Sequence, residues 1–454
     1  MKRIFTLLLC VVLLLSVAGL GATAAEKENI FPLLNPSAMI IAAAVDNEID
    51  RIYDNAGAKS EMYFAFSPED YVSLEDFGAA LRREVWPLMN ALYATDMVGQ
   101  DYITMRSAYG VRTLDGKAMQ YYYIVTLKVN GKELRAQMDR IIKNVKGQTD
   151  REKIVWLKDY LYANVEYDED TMSTSGTQLA LMEGKGVCMG YARAMLELCR
   201  RLDIPCFGVV NDEHMWNSVQ IEEGWQMLDA TWNIPPLTGI YDDKHGYDAS
   251  LYQKCIHYFD NFTYYKGKAA AALMEDLTAN WYRAAVEYTL GNEIFKGVSS
   301  TSFAPNQEMT RGMFVTVLGR LAGAQGGVSG FVDVSAKQYY APYVGWAKES
   351  GIVNGISATR FAPEDPITRE QLCKMMAAFA KYQGVPLGET TQKVFADDAR
   401  ISNWAKREVY KCAAAGLVQG KGKNVFDPMG SATRAEVAVI LCNFNKFTEN
   451  SESK

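Results

Sequence analysis

The hydrophobic pattern changes rhythm along the chain, and each rhythm predicts a different kind of element. Lys2 and Arg3 precede an unbroken apolar run from Ile4 to about Leu20, which ends in Ala22-Thr23-Ala24. A positive start, an apolar middle and an A-x-A end predict a secretory signal peptide over residues 1–24. The run is close to the ~17-residue minimum for crossing a bilayer, so an uncleaved anchor is the alternative. The small residues before Ala25 favour cleavage. Residues 25–147 then predict helices near 38–55 and 74–94 and a strand at Tyr121-Tyr-Tyr-Ile-Val-Thr-Leu127. No chemical constellation stands out there, and the stretch is read as an accessory α+β region.

From Asp150 to about Ala163 the apolar positions Ile154, Val155, Leu157, Tyr160 and Leu161 follow a helical spacing. A second helix is predicted over 188–202, ended by Ile204-Pro205. Strand-like alternation follows at Cys206–Val210, Met215–Ile221 and Trp225–Thr231, with Glu222-Glu-Gly224 as the turn of a hairpin. The last third repeats itself. Gly297, Gly355 and Gly420 each precede by six residues a phenylalanine, Phe303, Phe361 or Phe426. Pro305, Pro363 and Pro428 come next, then the pairs Thr310-Arg311, Thr368-Arg369 and Thr433-Arg434. Sixteen residues before each glycine stands an aromatic: Trp281, Tyr339 or Trp404. Each copy predicts a helix ending near a glycine such as Gly351 or Gly416, a loop, and a second helix started by the threonine. A helix-loop-helix unit cannot bury its apolar face alone, whereas three together can.

The chain has 454 residues, 47 of them basic and 54 acidic. Signal cleavage would leave 45 basic residues against 54 acidic ones, and an acidic surface argues against a nucleic-acid partner. Seven cysteines would remain: Cys188, Cys199, Cys206, Cys255, Cys373, Cys412 and Cys442. No C-x-x-C pair occurs, so no zinc site is indicated. An odd count leaves at least one thiol free in a monomer. Cys199 and Cys206 could pair as a local disulfide, which the sequence leaves open.

The candidate chemistry lies in the middle third. Cys188 sits in Gly184-Lys-Gly-Val-Cys-Met-Gly-Tyr-Ala192, where a glycine-rich turn enters a helix. A thiol there faces the positive end of the helix dipole and unpaired amide donors, which favour its thiolate. His214 opens the strand Met215-Trp-Asn-Ser-Val219, and Asp229 lies in the apolar stretch Trp225-Gln-Met-Leu-Asp-Ala-Thr-Trp232. A hairpin turning at 222–224 brings His214 and Asp229 roughly opposite each other, as a base and its orienting carboxylate require. The Cys188 backbone N–H is a reasonable oxyanion donor, and no second donor can be named. His245 and His257 are read as structural, as are Trp216, Trp225, Trp232 and Tyr191.

Gly186 to Ala192, His214 to Val219 and Trp225 to Trp232 together resemble the transglutaminase-like superfamily, over about residues 148–262. The resemblance implies a papain-like core, with Cys188 as nucleophile, His214 as base and Asp229 as orienting acid. That superfamily includes protein cross-linkers, cysteine proteases, amidases and inactive members. In the C-terminal third, Phe331-Val-Asp-Val334, Gly351-Ile-Val-Asn-Gly355, Phe361-Ala-Pro363, Ile367-Thr-Arg-Glu370 and their counterparts up to Thr433-Arg-Ala-Glu436 look like S-layer homology (SLH) domains. The copies are placed at 276–326, 327–384 and 391–446. In that family the repeats hold exported proteins on secondary cell-wall polymers, often pyruvylated. Arg369, Arg434 and Trp404 match the family's arginine and aromatic positions, and an arginine fork suits a carboxylate or ketal-pyruvate anion. Repeat one lacks the Phe-x-Asp start and the glutamate of the motif, so its groove is expected to be weak.

The expected fold is therefore α+β: a papain-like core, an N-terminal α+β region and an all-α C-terminal domain of three SLH repeats. The leading functional expectation is a secreted cysteine hydrolase of peptide or amide bonds, displayed on a bacterial wall or S-layer, with a protein or peptide substrate. It needs no cofactor or metal and stays off the membrane after cleavage. Protein-glutamine transamidation, cross-linking surface proteins, is one alternative. A non-catalytic wall-binding protein is the other.

Overall fold

The computed structural model describes residues 29–31, 36–55, 57–93, 103–114, 117–130, 132–171, 176–177, 179–211, 214–232, 237, 248–389 and 395–452. The expected signal peptide and His245 lie outside these. The N-terminal part runs β1 (Asn29–Phe31), α1 (Ala38–Ile52), β2 (Lys59–Phe66), α2 (Leu74–Glu84), α3 (Trp86–Tyr93), β3 (Ile103–Leu114), β4 (Lys117–Val129) and α4 (Lys132–Asn144). Its strands form a four-stranded sheet in the order β1-β2-β4-β3. Along β4, Tyr121, Tyr123, Val125, Leu127 and Val129 are buried at alternate positions, as a half-buried strand dictates. The single helix expected near 74–94 is two. Pro87 has no N–H to offer the Arg83 carbonyl, so the first helix stops at Glu84 and the second starts with proline in its first turn.

The middle part follows the expected outline. It contains α5 (Asp150–Asn164), β5 (Glu166–Tyr167), β6 (Lys185–Gly186), α6 (Cys188–Arg201), β7 (Cys206–Val210), β8 (Met215–Ile221), β9 (Gly224–Leu228), α7 (Ala249–Asp260) and α8 (Phe262–Ala272). Thr149 and Glu152 form the capping box that starts α5. Strands β7-β8-β9 make an antiparallel sheet, and the Asn217 side chain on β8 ties it to α6 by donating to the Ala192 carbonyl at 3.0 Å.

The accessory region is not separate in packing. Ile41, Phe64, Tyr123, Leu157, Leu198 and Tyr258 belong to one continuous apolar cluster. Asp46 on α1 is buried within it. It accepts hydrogen bonds from the Tyr258 hydroxyl on α7 and from Arg200 Nη1 at 3.1 Å on α6. A carboxylate that deep requires such partners. Cys199 and Cys206 stand beside each other as free thiols, close enough to share a hydrogen bond.

The C-terminal part comprises α9 (Asn280–Gly291), α10 (Arg311–Leu321), α11 (Ala341–Glu349), α12 (Arg369–Tyr382), α13 (Asn403–Ala414) and α14 (Arg434–Glu452), two helices per repeat. Gly351 and Gly416 carry the positive φ (71° and 74°) of helix stops. The repeats close on one another in a cycle. The Ile367 N–H donates to the Met309 carbonyl (2.8 Å), Met309 to Ala432 (2.8 Å) and Ala432 to Ile367 (3.1 Å). Between repeats, each arginine after the threonine reaches into the next unit. Arg311 Nε donates to the Phe361 carbonyl (2.9 Å), Arg369 Nε to Phe426 (2.8 Å) and Arg434 Nε to Phe303 (2.7 Å). Each guanidinium also lies over the ring of that phenylalanine, 4.6–5.0 Å from its centre.

Arg369 and Arg434, expected from sequence to meet a polymer anion, are held inside the repeats. They are only 5% and 6% exposed, and each gives a further Nη2 hydrogen bond to a carbonyl, Gln419 or Lys296. The physical reason is that loop carbonyls buried between units need donors, and the arginine is the side chain long enough to supply them. Repeat one also has the motif aspartate thought missing. Asp276 accepts from the Phe303 and Ala304 N–H groups, as Asp333 does from Phe361 and Ala362 and Asp397 from Phe426 and Asp427. Met274 stands where the other copies have phenylalanine, which hid the match.

Helix α8 of the middle part meets α9 of repeat one backbone to backbone: a Cβ on Gly267 would collide with the Glu287 carbonyl oxygen. Arg369→Ala should strand two buried carbonyls and lower stability by about 3 kcal/mol. Thermal unfolding followed by circular dichroism checks this, and an unchanged transition would refute the clamp.

Candidate active site

Helix α6 begins at Cys188, and its N-cap, Val187, provides no side-chain acceptor, so the first-turn amides are not capped by a side chain. The turn before it is fixed by a short parallel ladder in which Glu166 faces Lys185 and Tyr167 faces Gly186. The Glu166 N–H donates to the Gly184 carbonyl (2.7 Å) and the Asp168 N–H to Gly186 (3.1 Å). Gly184 takes φ +67° to make that turn, a conformation glycine adopts without strain. Cys188 is thereby held half-buried at the helix start.

His214 is oriented from its own backbone. Its N–H donates to Asn211 Oδ1 (2.7 Å), and its carbonyl accepts from the Asn211 N–H (3.0 Å). Asp229 lies one residue past the end of β9 instead of inside the expected longer strand. Asn217 pairs with Leu228 in the β8–β9 register, so Asp229 falls across from Trp216, and His214 is its diagonal neighbour on the same face. The hairpin expectation holds to within that offset. Asp229 Oδ2 is 2.7 Å from His214 Nε2, and its Oδ1 accepts the Thr231 N–H at 2.8 Å. The Trp216 ring stacks behind the imidazole at 5.7 Å.

These positions set the charges. Burial alone would raise the Cys188 thiol, but hydrogen bonds from His214 and from the Met215 and Met189 N–H groups outweigh it and bring the thiol below its ordinary value. His214 is pushed up to about 9, first by its hydrogen bond to Asp229 and then by that to Cys188. With Nε2 committed to Asp229, the Nδ1 edge is the one left for the thiol. Both shifts favour the thiolate-imidazolium form of the pair over the neutral one. Burial works the other way on the structural cysteines, raising Cys255 to about 12 and also raising Cys199 and Cys442. His257 bonds the Tyr265 hydroxyl at 3.0 Å and stands apart from this group.

Two contributors were not legible in the sequence. The Met215 amide reaches the Cys188 sulfur only because β8 starts beside α6. Tyr167 pairs with Gly186, two residues before Cys188, and Cys188 figures among the groups that shift its phenol. In the repeats, Trp404 is half exposed (51%), as are its counterparts Trp281 and Tyr339 (59% and 54%). Among the described residues, no group of three or more His, Cys, Asp or Glu side chains could hold a metal, and no helix is long and apolar enough to cross a membrane.

Comparison with known proteins agrees with both parts. Residues 136–230 match the transglutaminase-like superfamily, and residues 275–312, 330–373 and 394–438 match the S-layer homology domain. The first match starts within α4, in the region read from sequence as accessory. The chain is 34% identical over 187 residues to an amylopullulanase of Thermoanaerobacterium thermosulfurigenes, covering 40% of this chain and 10% of that protein. It is 28% identical over 189 residues to a surface-layer 125 kDa protein of Lysinibacillus sphaericus, covering 40% of this chain and 15% of that one. The chain thus spans well under a fifth of the length of these relatives. A solved structure of a TGase is 12% identical, covers 49% of this chain and 63% of its own, and superposes with a TM-score of 0.21, too slight to argue from.

Asp229→Asn should remove the main support of the imidazolium. Alkylation of Cys188 by iodoacetamide at mildly acidic pH should then slow about tenfold or more as the thiolate is lost. An unchanged rate would mean the carboxylate does not set the charge state of the pair.

Proposed function

Taking as premise a transglutaminase-like domain followed by three S-layer homology domains, we propose that this chain is a secreted, wall-held cysteine enzyme that cleaves peptide or amide bonds through Cys188, His214 and Asp229. The observation that carries the reading is the Cys188–His214–Asp229 chain at the start of α6, closed by the 2.7 Å contact between His214 Nε2 and Asp229 Oδ2. The Cys188 thiolate attacks the carbonyl carbon, a C–S bond forms, and the carbonyl electron pair moves onto oxygen near the Cys188 N–H. His214 passes its proton to the leaving nitrogen as the C–N bond breaks, and a thioester remains. Water then attacks the thioester, His214 takes its proton, and the acid leaves with the thiolate restored. Asp229 fixes the ring throughout without accepting the proton. An amine in place of water would give transamidation by the same steps.

The S-layer homology domains imply binding to a cell-wall polymer, which would display the enzyme outside the cell. Trp404 is the contact we assign first, because it is exposed where Arg369 is not. Arg434 differs from its two counterparts. Arg311 Nη1 has Gln371 Oε1 at 3.3 Å and Arg369 Nη1 has Glu436 Oε1 at 3.6 Å, but repeat one offers Met313 at the matching place. Burial holds the Arg434 guanidinium down to about 10. A polymer acid group, such as a ketal pyruvate, would compensate that charge.

Incubation with casein and a labelled amine should yield cleavage fragments with no amine incorporated, and Cys188→Ala should abolish cleavage. Incorporation without cleavage would replace hydrolysis by transamidation. Turnover should also fall above about pH 9, where the imidazolium loses the proton it must deliver. Trp404→Ala should weaken sedimentation with purified cell-wall sacculi roughly tenfold, and equal sedimentation with sacculi stripped of secondary polymer would refute the assignment.

A further inference from the structure

Acyl transfer through an oxyanion needs two donors aimed at the carbonyl oxygen, and the Cys188 N–H is one. We propose that the Tyr167 hydroxyl is the second, which makes Tyr167 a catalytic residue of the Cys188 reaction; the assignment rests on the acyl-transfer reading above.

Tyr167 is placed there by the same ladder that shapes the nucleophile turn. It pairs with Gly186, two residues before Cys188, and the flanking Asp168 N–H to Gly186 hydrogen bond locks the register. Its half-exposed ring stacks on Trp232 at 5.6 Å and 28°, and lies 6.5 Å from the ring of Tyr191. Trp232 in turn stands 6.2 Å from the His214 ring, so the Tyr167 ring belongs to the same aromatic group as the base. In the resting site that hydroxyl faces the Cys188 N–H, which lowers the phenol against the larger effect of burial. A hydroxyl is acceptor and donor at once. When a carbonyl oxygen arrives at the Cys188 N–H, the phenol oxygen yields that N–H and its O–H donates to the same incoming oxygen.

The phenol also stays protonated at working pH. Burial, and after it the negative charges of Cys188 and Glu169, raise it above the ordinary tyrosine value. Among the described residues, two donors of this region are engaged elsewhere: Lys185 Nζ with Asp168 at 3.3 Å, and Asn217 Nδ2 with the Ala192 carbonyl at 3.0 Å. No proton leaves Tyr167 in the reaction. The thiolate pair forms the C–S bond, the carbonyl π pair becomes an oxyanion held by the two donors, and its return expels the leaving group protonated by His214.

The test compares two reactions of Cys188 in full-length protein, one that passes through an oxyanion and one that does not. p-Nitrophenyl acetate should acylate the wild type with a burst of p-nitrophenolate. In Tyr167→Phe, which keeps the ring and its stacking, the burst rate should fall roughly 10²-fold or more, while iodoacetamide alkylation changes less than about twofold. An unchanged burst rate would make the hydroxyl a bystander. A faster one would make it a plug on the Cys188 N–H. Equal losses in both reactions would make Tyr167 a packing residue; each of these three results overturns the assignment. A wild type without a burst, or a Cys188→Ala variant with the same burst, overturns acyl transfer itself and this assignment with it.

Discussion

A thiolate half withdrawn from water persists only where fixed donors take the place of the solvent it has lost. At Cys188 those donors come from two separate stretches of chain: the Met189 amide of α6, and the His214 ring with the Met215 amide where β8 begins. Asp229 then has to hold the imidazole, and the Thr231 amide has to hold Asp229. The sheet β7-β8-β9, the β5–β6 ladder and the helix start all serve this one arrangement. Moving any of them would leave either a buried charge or a neutral, unreactive thiol.

The same principle works on the opposite sign of charge in the repeats. Arg311, Arg369 and Arg434 are buried cations whose hydration is replaced by loop carbonyls and phenylalanine faces of the next repeat. The exchange runs in a cycle, so no repeat is complete without its neighbour. Repeat one is the irregular copy, yet Asp276 keeps its loop in register. What it lacks is a side-chain acceptor like Gln371 or Glu436, since Met313 stands at that place, and that asymmetry marks one junction as different from the other two.

The transglutaminase-like and S-layer homology parts are also joined more closely than a string of domains. One apolar cluster runs from α1 through α8, and α8 packs on α9 through Gly267 with no room for a side chain. Asp46, Arg200 and Tyr258 tie the N-terminal helix to the far end of the nucleophile helix. A region with no chemistry of its own thus takes part in positioning α6.

Signals that act within a few residues were legible in the chain itself. The glycine turn before Cys188, the threonine caps, the hairpin at 222–224 and the repeat spacing each rest on local backbone preference, and each stands close to where it was expected. Cys188, His214 and Asp229 could be singled out together because they bracket a single hairpin and one helix start. Distant contacts were not legible. Nothing near Arg434 says that its guanidinium ends on Phe303, 131 residues away, nor does anything near Tyr167 say that its hydroxyl faces the Cys188 amide. An arginine or a tyrosine in a sequence is compatible with solvent, with a ligand or with the interior. The choice depends on which carbonyls, amides and rings the folded chain has deprived of water, and that is decided only when the elements pack.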